Sequence, residues 1–256
     1  RDHMHEALKI TAHQFEEGGY DKAILALGSC EAHGRHLPLG TDTHVSHMIA
    51  VKAADRVPGL LVLPPVAVGV SEHYAAFPFT IYLKYDTMIA VIKDILRATI
   101  QNGIRKIFIM NGHDGNIAAI EVAAREIKME CPEARIVALN DWWIAAGKLL
   151  PPNTFEVWDG LGHAGEGETS IALNMFEDWC EMDRAAGVVP DRIPPHVDVK
   201  WDFAELTDTA ATGDPTRATK EKGEKMENVL LDLVVTLKSL DACDWSYAST
   251  ASLKKP

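Results

Sequence analysis

Four short apolar runs in the first 140 residues predict buried parallel strands. They are KAILALG at 22–28, LLVLPPVAVG at 60–69, KIFIMNG at 106–112 and RIVALN at 135–140. Each is nearly continuous in apolar residues, which is typical of strands covered on both faces. Because helical patterns alternate with these runs, we expect βαβ units, a parallel sheet and right-handed crossovers.

Two helices are predicted between these strands. In the first, at 86–101, Asp86 is a good N-cap and Gly103 a good stop. Its apolar face contains Met88, Ile92, Ile95, Leu96 and Thr99. The second spans 117–130 and ends before Pro132. The first half of the chain therefore has the pattern of an α/β protein.

The pattern changes after residue 150. A helix is predicted from Glu168 to Trp179, followed by a long proline-rich surface excursion. A final long helix is expected after Asp214 as N-cap, with Pro215 at its first position. Its buried stripe would contain Met226, Val229, Leu230, Leu233, Val234 and Leu237. We find no internal repeat, and interpret residues 1–256 as one domain.

Composition narrows the classes of partner. The chain has 256 residues and a net charge of -12, which disfavours nucleic acid and anionic membranes. No apolar run approaches the ~20 residues of a membrane-spanning helix. The cysteines (Cys30, Cys131, Cys180 and Cys243) form no CxxC pair. We expect reduced thiols and a cytoplasmic location.

Polar side chains follow three of the apolar runs. Glu31 and His33 come after the first, NGHDGN at 111–116 forms the end of the third, and NDWW at 140–143 follows the fourth. Ligand sites in open α/β sheets form at the carboxyl ends of strands. These loops could therefore place acid, imidazole, amide and indole groups in one cleft.

Glu31, His33, Asp42 and His113 are suitable metal ligands. Mixed carboxylate and imidazole groups suit Zn²⁺, Mn²⁺ or Fe²⁺. Their spacing matches none of the common zinc signatures, so the residues alone support an ordinary hydrogen-bonded cluster equally well. Two ions about 3.5–4 Å apart, bridged by an aspartate, would activate water for hydrolysis.

A glycine-rich segment, GHAGEGETS at 162–170, carries a further candidate. His163 lies in this loop, where an unperturbed pKa near 6.5 would suit proton transfer. The alternative is an ordinary loop histidine. The sequence alone does not separate the two.

Several motifs together resemble the creatininase (creatinine amidohydrolase) family. LGSCEAHGRHLPLGTD resembles its signature, and FIMNGHDGN, HAGEGETS and TGDPTRATKEKGE resemble later motifs in the same order. SEHYAAFPFTIYL resembles another, with Phe79 where glycine is usual and one residue fewer before Glu72. The motifs extend over about residues 24–225. The resemblance identifies the chain as a member of this family.

The resemblance implies an α/β fold, a three-layer α/β/α sandwich with a mostly parallel central sheet, and a binuclear metal centre. By matching position, Glu31, Asp42 and His113 would hold one ion, and His33 and Asp42 the other, with Asp42 bridging. His163 would protonate the leaving nitrogen.

One position departs from the family's pattern. Creatininase has a metal-binding glutamate where this chain has Gly115. We expect Glu168 to replace it, with Glu166 as the alternative. His36 is expected either to orient a ligand or to lie beside a helix cap.

The resemblance also implies a reaction. We expect a metal-dependent amidohydrolase that cleaves a non-peptide C–N bond, often in a cyclic amide, by a metal-bound hydroxide. The alternatives are a deformylase acting on a formylamino-pyrimidine or similar formamide, and a non-catalytic metal-binding scaffold. Trp142, Trp143, Asp114 and His73 are the expected substrate-binding residues, although one tryptophan of the pair is expected to belong to the core.

The expected cofactors are two divalent metal ions, with zinc favoured over manganese and iron. The expected partner is a small-molecule amide, without nucleic acid or membrane. Family resemblance implies a homo-oligomer, a hexamer built from dimers.

Overall fold

A four-stranded parallel sheet forms the centre of the protein. The computed structural model describes residues 5–191, 193–194 and 196–238. The strands are β1 (Lys22–Leu27), β2 (Leu60–Val62), β3 (Lys106–Asn111) and β4 (Arg135–Leu139), in the order β2-β1-β3-β4. In the register, Ile24 of β1 lies opposite Val62 of β2 and Phe108 of β3.

Seven α-helices accompany the sheet in the described part of the chain. They are α1 (Ala12–Glu17), α2 (Thr41–Ala54), α3 (Tyr85–Gln101), α4 (Ile117–Glu130), α5 (Trp142–Leu149), α6 (Glu166–Phe176) and α7 (Lys220–Lys238). Short 3₁₀ turns, including Glu72–Tyr74, Asp114–Asn116 and Phe203–Glu205, lie in the connections.

The helices cover both faces of the sheet. Ile24 of β1 packs into a cluster with residues of α2, α5, α6 and α7, whereas Leu25 packs into a second cluster with residues of α3 and α4. Side chains alternate between the faces of a strand, so one continuous apolar run supplies both cores. The fold is therefore an α/β sandwich, as expected.

The strand order positions the site. The chain leaves β1 through α2 to reach β2 on one side, and later returns to β3 on the other side of β1. Strands β1 and β3 are therefore neighbours from which the strand order continues in opposite directions. Open α/β sheets bind ligands at the carboxyl ends of two such strands. The N–H of Gly112, directly after β3, donates to the carbonyl of Leu27, at the end of β1, at 2.7 Å.

The second strand is much shorter than predicted. Only Leu60–Val62 of the run at 60–69 is a strand. Pro64 and Pro65 follow one residue later, after Leu63, and proline has no N–H to donate to a sheet. The backbone then forms an isolated bridge between Val66 and Leu27.

Several helix ends also differ from the predictions. Asp86 lies in the first turn of α3, and Lys84 occupies the N-cap position. Asp214 is an N-cap, but of the 3₁₀ turn Pro215–Arg217, and α7 begins later, at Lys220. The helix predicted from Glu168 to Trp179 begins two residues earlier and ends as a 3₁₀ turn.

The final helix buries three of the six residues of its predicted stripe and half-buries Val229 and Leu233. Met226, Leu230 and Val234 are buried, and the stripe also includes Leu231. The side chain of Leu237 lies outside the described residues. Helix α4 spans 117–130, as predicted.

Helix α2 was not predicted. Most of its residues are buried, including polar ones such as Asp42 and Ser46. An amphipathic pattern is absent because polar groups of the site occupy buried positions.

Two further features concern the chain as a whole. Cys30, Cys131 and Cys180 are unpaired, and Cys243 lies outside the described residues. No helix in the described ranges combines the length and apolar character needed to cross a membrane.

Candidate metal centre

Six of the predicted side chains converge at the carboxyl ends of β1 and β3. They form three groups whose ligand atoms lie within 4.8 Å of one another. The groups are Glu31–Asp42–His113, His33–Asp42–Glu168 and Glu31–His33–His163. Residues brought from positions 31 to 168 therefore form one buried cluster.

Asp42 lies at the middle of this cluster. Its Oδ1 is 2.8 Å from Nε2 of His33, and its Oδ2 is 3.1 Å from Nδ1 of His113. Ser29 Oγ donates a hydrogen bond to Oδ2 at 2.8 Å. Asp42 is in the first turn of α2, where the helix dipole favours a negative charge. The two oxygens thus face two different imidazoles, which is an arrangement suited to a bridging ligand.

Backbone carbonyls fix the orientation of both imidazoles. Nδ1–H of His33 donates to the carbonyl of Glu31 at 3.2 Å, and Nε2–H of His113 donates to the carbonyl of Val70 at 2.8 Å. A carbonyl oxygen can only accept, so these contacts place a proton on the nitrogen that faces it. The other nitrogen of each ring is directed at the carboxylates. Such outer contacts orient metal-binding histidines.

Glu31 has buried oxygens without a hydrogen-bond partner. Its side chain is fully buried, and neither oxygen accepts a well-aligned hydrogen bond, although Oε1 is 3.2 Å from Nδ1 of His113. A buried carboxylate without partners is unfavourable unless a cation compensates it. Together with the oriented imidazoles, these oxygens fit a divalent metal ion.

Without metal, the cluster forms tightly coupled ion pairs. Burial lowers the pKa of His33, but the Asp42 carboxylate outweighs this effect and raises the pKa to about 10. Burial likewise opposes the charge on His113, yet Glu31 and Asp42 raise its pKa well above the usual value. The pKa of Asp42 lies well below its usual value because the charge of His33 outweighs burial. Protons therefore occupy positions at which a metal could bind.

Glu168 and Glu166 have different surroundings. Glu168 Oε2 accepts from the N–H of Ala164 at 2.6 Å and lies 3.9 Å from Nε2 of His33. Burial raises the pKa of Glu168 to about 7. Glu166 instead accepts from the backbone N–H groups of Glu156 and Val157, and from Nζ of Lys222 at 2.6 Å. Only Glu168 is directed at the cluster.

Gly115 has no room for a side chain. A Cβ at this position would lie 2.1 Å from the carbonyl oxygen of Val70 and 2.5 Å from Nε2 of His113. The backbone as it stands excludes a glutamate here. A carboxylate that joins His33 and Asp42 at a metal ion must therefore come from elsewhere in the chain.

His163 differs from the flexible loop histidine that the sequence suggested. Its side chain is only 9% exposed. Burial, together with the charge of His33, lowers its pKa to about 3. Nε2–H donates to the carbonyl of Ala32 at 2.6 Å, and Nδ1 lies 3.1 Å from the hydroxyl of Tyr74. The expectation of an unperturbed pKa near 6.5 is therefore wrong for the metal-free protein.

His36 connects two loops of the site. Its Nε2 lies 2.9 Å from Oγ1 of Thr169, which donates to the carbonyl of Ala164. Burial lowers its pKa to about 4. His36 is therefore neutral and holds the segment that carries Glu168. This contact is compatible with the role of orienting a ligand, which stays a prediction.

The predicted substrate-binding residues occupy different environments. His73 stacks against His113 with ring centroids 6.0 Å apart, and Asp114 is exposed in the next turn. Trp142 is fully buried in the core, where it has no surface to offer a substrate. Its assignment as a substrate-binding residue is therefore wrong. Trp143 is half-buried and packs edge-on against Trp142, so its substrate role stays a prediction.

Tyr74 and Phe203 were missed by the sequence analysis. Tyr74 packs over the ring of His163 at 4.4 Å, and Phe203 packs against both rings, at 4.4 Å from Tyr74 and 5.1 Å from His163. Tyr74 stood in a motif that resembles the family, next to His73. Phe203 had no local signal, since it lies in an irregular segment.

Two asparagines of the NGHDGN motif were also unassigned. Asn111 donates to the carbonyls of His113 and Asn140, at 2.6 and 2.8 Å. Asn116 donates to the carbonyl of Gly28 and accepts from the N–H of Val70, both at 3.0 Å. These amides join the loops that follow all four strands, and so fix the backbone that carries His113.

Comparisons with known proteins agree with this geometry. Creatinine amidohydrolase of Pseudomonas putida is 28% identical over 215 residues, covering 78% of this chain and 82% of that protein. The mycofactocin precursor peptide peptidase of Mycobacterium ulcerans is 29% identical over 220 residues, covering 82% and 81%. The manganese form of creatininase superimposes with a TM-score of 0.78 at 25% identity, covering 93% of this chain and 98% of that one.

The family profile described as creatininase (creatinine amidohydrolase) matches residues 8–237. This match covers far more than half of the chain and includes all six clustered residues. The protein belongs to the creatininase family.

Proposed function

We propose that this protein is a binuclear metal-dependent amidohydrolase that cleaves a C–N bond of a small, non-peptide amide. The observation that carries the proposal is the buried carboxylate of Glu31, which accepts no well-aligned hydrogen bond, beside two imidazoles whose orientation is already fixed. A cluster of this kind costs stability unless it binds cations. A non-catalytic metal-binding scaffold would use the same ligands, and the substrate panel described below separates it from an enzyme.

Each proposed ligand has a defined position. Glu31, Asp42 and His113 would hold one ion, and His33, Asp42 and Glu168 the other, with Asp42 bridging. When bound, two divalent ions would polarise the amide carbonyl and lower the pKa of a water molecule. Zinc, manganese and iron all suit these donors, and zinc is the ion we favour.

The chain's own groups would move the proton. His163 is neutral, and its Nδ1 faces Glu31 at 4.0 Å, so this nitrogen can accept a proton within the cluster. The same nitrogen can then deliver the proton to the departing nitrogen of the substrate. Because Nε2–H of His163 is held by Ala32, the ring need not rotate between these two steps.

The surroundings favour a small substrate. Tyr74 and Phe203 cover the ring of His163, and both are largely buried. Such a covering shields the ring of His163, whose side chain is only 9% exposed, and so favours a small amide over a long chain. His73, Asp114 and Trp143 are the side chains that we propose to contact the substrate.

Relatives give a second candidate class. One relative is named a peptide peptidase, at an identity close to that of the creatinine amidohydrolase. Peptide cleavage is therefore the main competing activity, and a formamide the main alternative within small amides.

A substrate panel tests the proposal. The metal-depleted protein would be supplied separately with Mn²⁺, Zn²⁺ or Fe²⁺ and assayed on creatinine, small lactams, formamides and short peptides. We expect turnover of a cyclic or linear small amide, and none with peptides. Turnover of peptides alone would move the protein to the peptidase class, and the absence of turnover throughout would contradict the proposal.

A further inference from the structure

His163 could serve the centre in two incompatible ways. The ligand atoms of Glu31, His33 and His163 lie close enough to hold a metal ion, yet the proposed reaction needs His163 free to carry a proton. Its Nδ1 is the nitrogen that faces Glu31, at 4.0 Å. A further contact of His163 must therefore determine whether this residue binds a metal ion or carries a proton.

The hydrogen bonds of the His163 imidazole identify the group that makes this contact. Nε2 lies 2.6 Å from the carbonyl of Ala32, so the single proton of the neutral imidazole is on Nε2. Nδ1 must then accept the hydrogen bond that joins it to the hydroxyl of Tyr74, at 3.1 Å. Tyr74 is therefore the donor in this contact.

An imidazole nitrogen has only one lone pair. Nδ1 cannot accept from Tyr74 and bind a metal ion at the same time. A proton differs from a metal ion, because a protonated Nδ1 becomes a donor and the hydroxyl of Tyr74 can turn to accept from it. Glu168 differs, because each carboxylate oxygen has two lone pairs and can accept from Ala164 while still binding an ion. The hydroxyl thus acts selectively on His163.

The environment of Tyr74 keeps this hydroxyl in place. The side chain is buried, with its ring packed against Phe203, and Oγ1 of Thr80 donates to its backbone carbonyl at 2.9 Å. A tyrosine hydroxyl keeps its proton at neutral pH, so it is available as a donor.

We propose that Tyr74 is a positioning residue that occupies Nδ1 of His163 and keeps this histidine out of the metal coordination sphere. The proposal rests on the proposed function for the role of His163 as a proton carrier. It makes a separate statement about coordination, which can be measured without any substrate.

Cobalt substitution tests this statement. The visible spectrum of bound Co²⁺ reports the ligands, and would be recorded for the wild type and for Tyr74→Phe, His163→Ala and the double variant. We expect Tyr74→Phe to change the spectrum and to tighten Co²⁺ binding about tenfold, since ligation no longer breaks a buried hydrogen bond. The double variant should return to the spectrum of His163→Ala, which should equal that of the wild type.

Tyr82→Phe is the matched control. It removes a hydroxyl from a half-buried tyrosine of the same segment, whose ring contacts Lys84 rather than the cluster. Its spectrum and affinity should equal those of the wild type. Histidine ¹⁵N spectra of the zinc-loaded wild type give a test that needs no variant, and should show Nδ1 of His163 as a neutral, unligated nitrogen.

Two results would overturn the proposal. A spectrum of His163→Ala that differs from the wild type would show that His163 is already a ligand. A Tyr74→Phe protein with unchanged spectrum and affinity would show that the hydroxyl does not control ligation. If no substrate in the panel is turned over, the proposed hydrolase activity is refuted. The cobalt spectra can still be interpreted, because they are recorded without substrate.

Discussion

Replacing Glu168 and Glu166 by glutamine, one at a time, should give opposite phenotypes. Both side chains lie in the first turn of α6, two residues apart, and both are buried. They face different partners, however. Glu168 is directed at His33 and Asp42, whereas Glu166 binds two backbone N–H groups and Lys222.

The structure sets the expected magnitude for Glu168→Gln. In the metal-free protein, burial raises the pKa of Glu168 from 4.5 to about 7. The unfolded chain therefore ionises first, so stability falls as pH rises from 4.5 to about 7 and is constant above that. The ionised group destabilises the fold by about 3 kcal/mol at pH 8. Glutamine should recover much of this at pH 8, and little at pH 4.

Glu166→Gln should instead lower stability. Breaking a buried ion pair costs about 3–5 kcal/mol when one charge is left behind. We expect the lower end of about 3 kcal/mol, because Lys222 keeps the carbonyl of Arg217 at 2.8 Å and Oε1 of Glu156 at 3.3 Å.

Metal content and urea unfolding together form the assay. Each protein would be loaded with Zn²⁺, desalted and analysed for metal, and its metal-free form unfolded at pH 4 and pH 8. Glu168→Gln should bind about one ion instead of two, since an amide is a weaker ligand than a carboxylate. Glu166→Gln should keep both ions and be the less stable variant. Two ions in Glu168→Gln, or one in Glu166→Gln, would refute the assignment.

Four further outcomes follow from the geometry. Asp42→Ala should remove most bound metal and nearly all hydrolysis, and retention of two ions would contradict its bridging role. His163→Ala should keep both ions but lower kcat by about 10²–10⁴-fold, whereas a lost ion would make it a ligand. Metal binding at pH 7 should release about two to three protons. His33 and His113 have raised pKa values and Glu168 is about half protonated, so the metal must displace these protons and affinity should rise with pH. Calorimetry in buffers of different ionisation enthalpy measures this release. Phe79 has a φ of 59° and is exposed, so Phe79→Gly should remove about 1–2 kcal/mol of backbone strain and raise the urea midpoint, despite the flexibility of glycine.

The sequence predicted those parts of the fold that depend on local patterns. The strands β1 and β3 have continuous apolar runs, and α4 ends before a proline, so their positions were correct within one residue. Helix α2 was missed because the site places polar groups such as Asp42 on its buried surface. Two prolines ended β2 early, although the apolar run continued to residue 69.

The site was predictable where residues stand in a motif. Glu31, His33, Asp42 and His113 could be assigned by position, and the structure brings them together. Phe203 stands in no motif, and Tyr74 stands in one that gives no sign of its contact with His163. Both residues matter because they pack against His163, which is far away in the chain. The burial of Trp142 was equally hidden, because two adjacent tryptophans give no sequence signal for which one faces the core.

Titration of the metal-depleted protein tests the central claim most directly. Amide hydrolysis and bound metal would be measured together as Zn²⁺ or Mn²⁺ is added, with the best substrate from the panel. We predict no hydrolysis without metal and a plateau of activity at two ions per chain. Hydrolysis by the metal-depleted protein, or a plateau already reached at one ion, would contradict a binuclear centre built around Asp42.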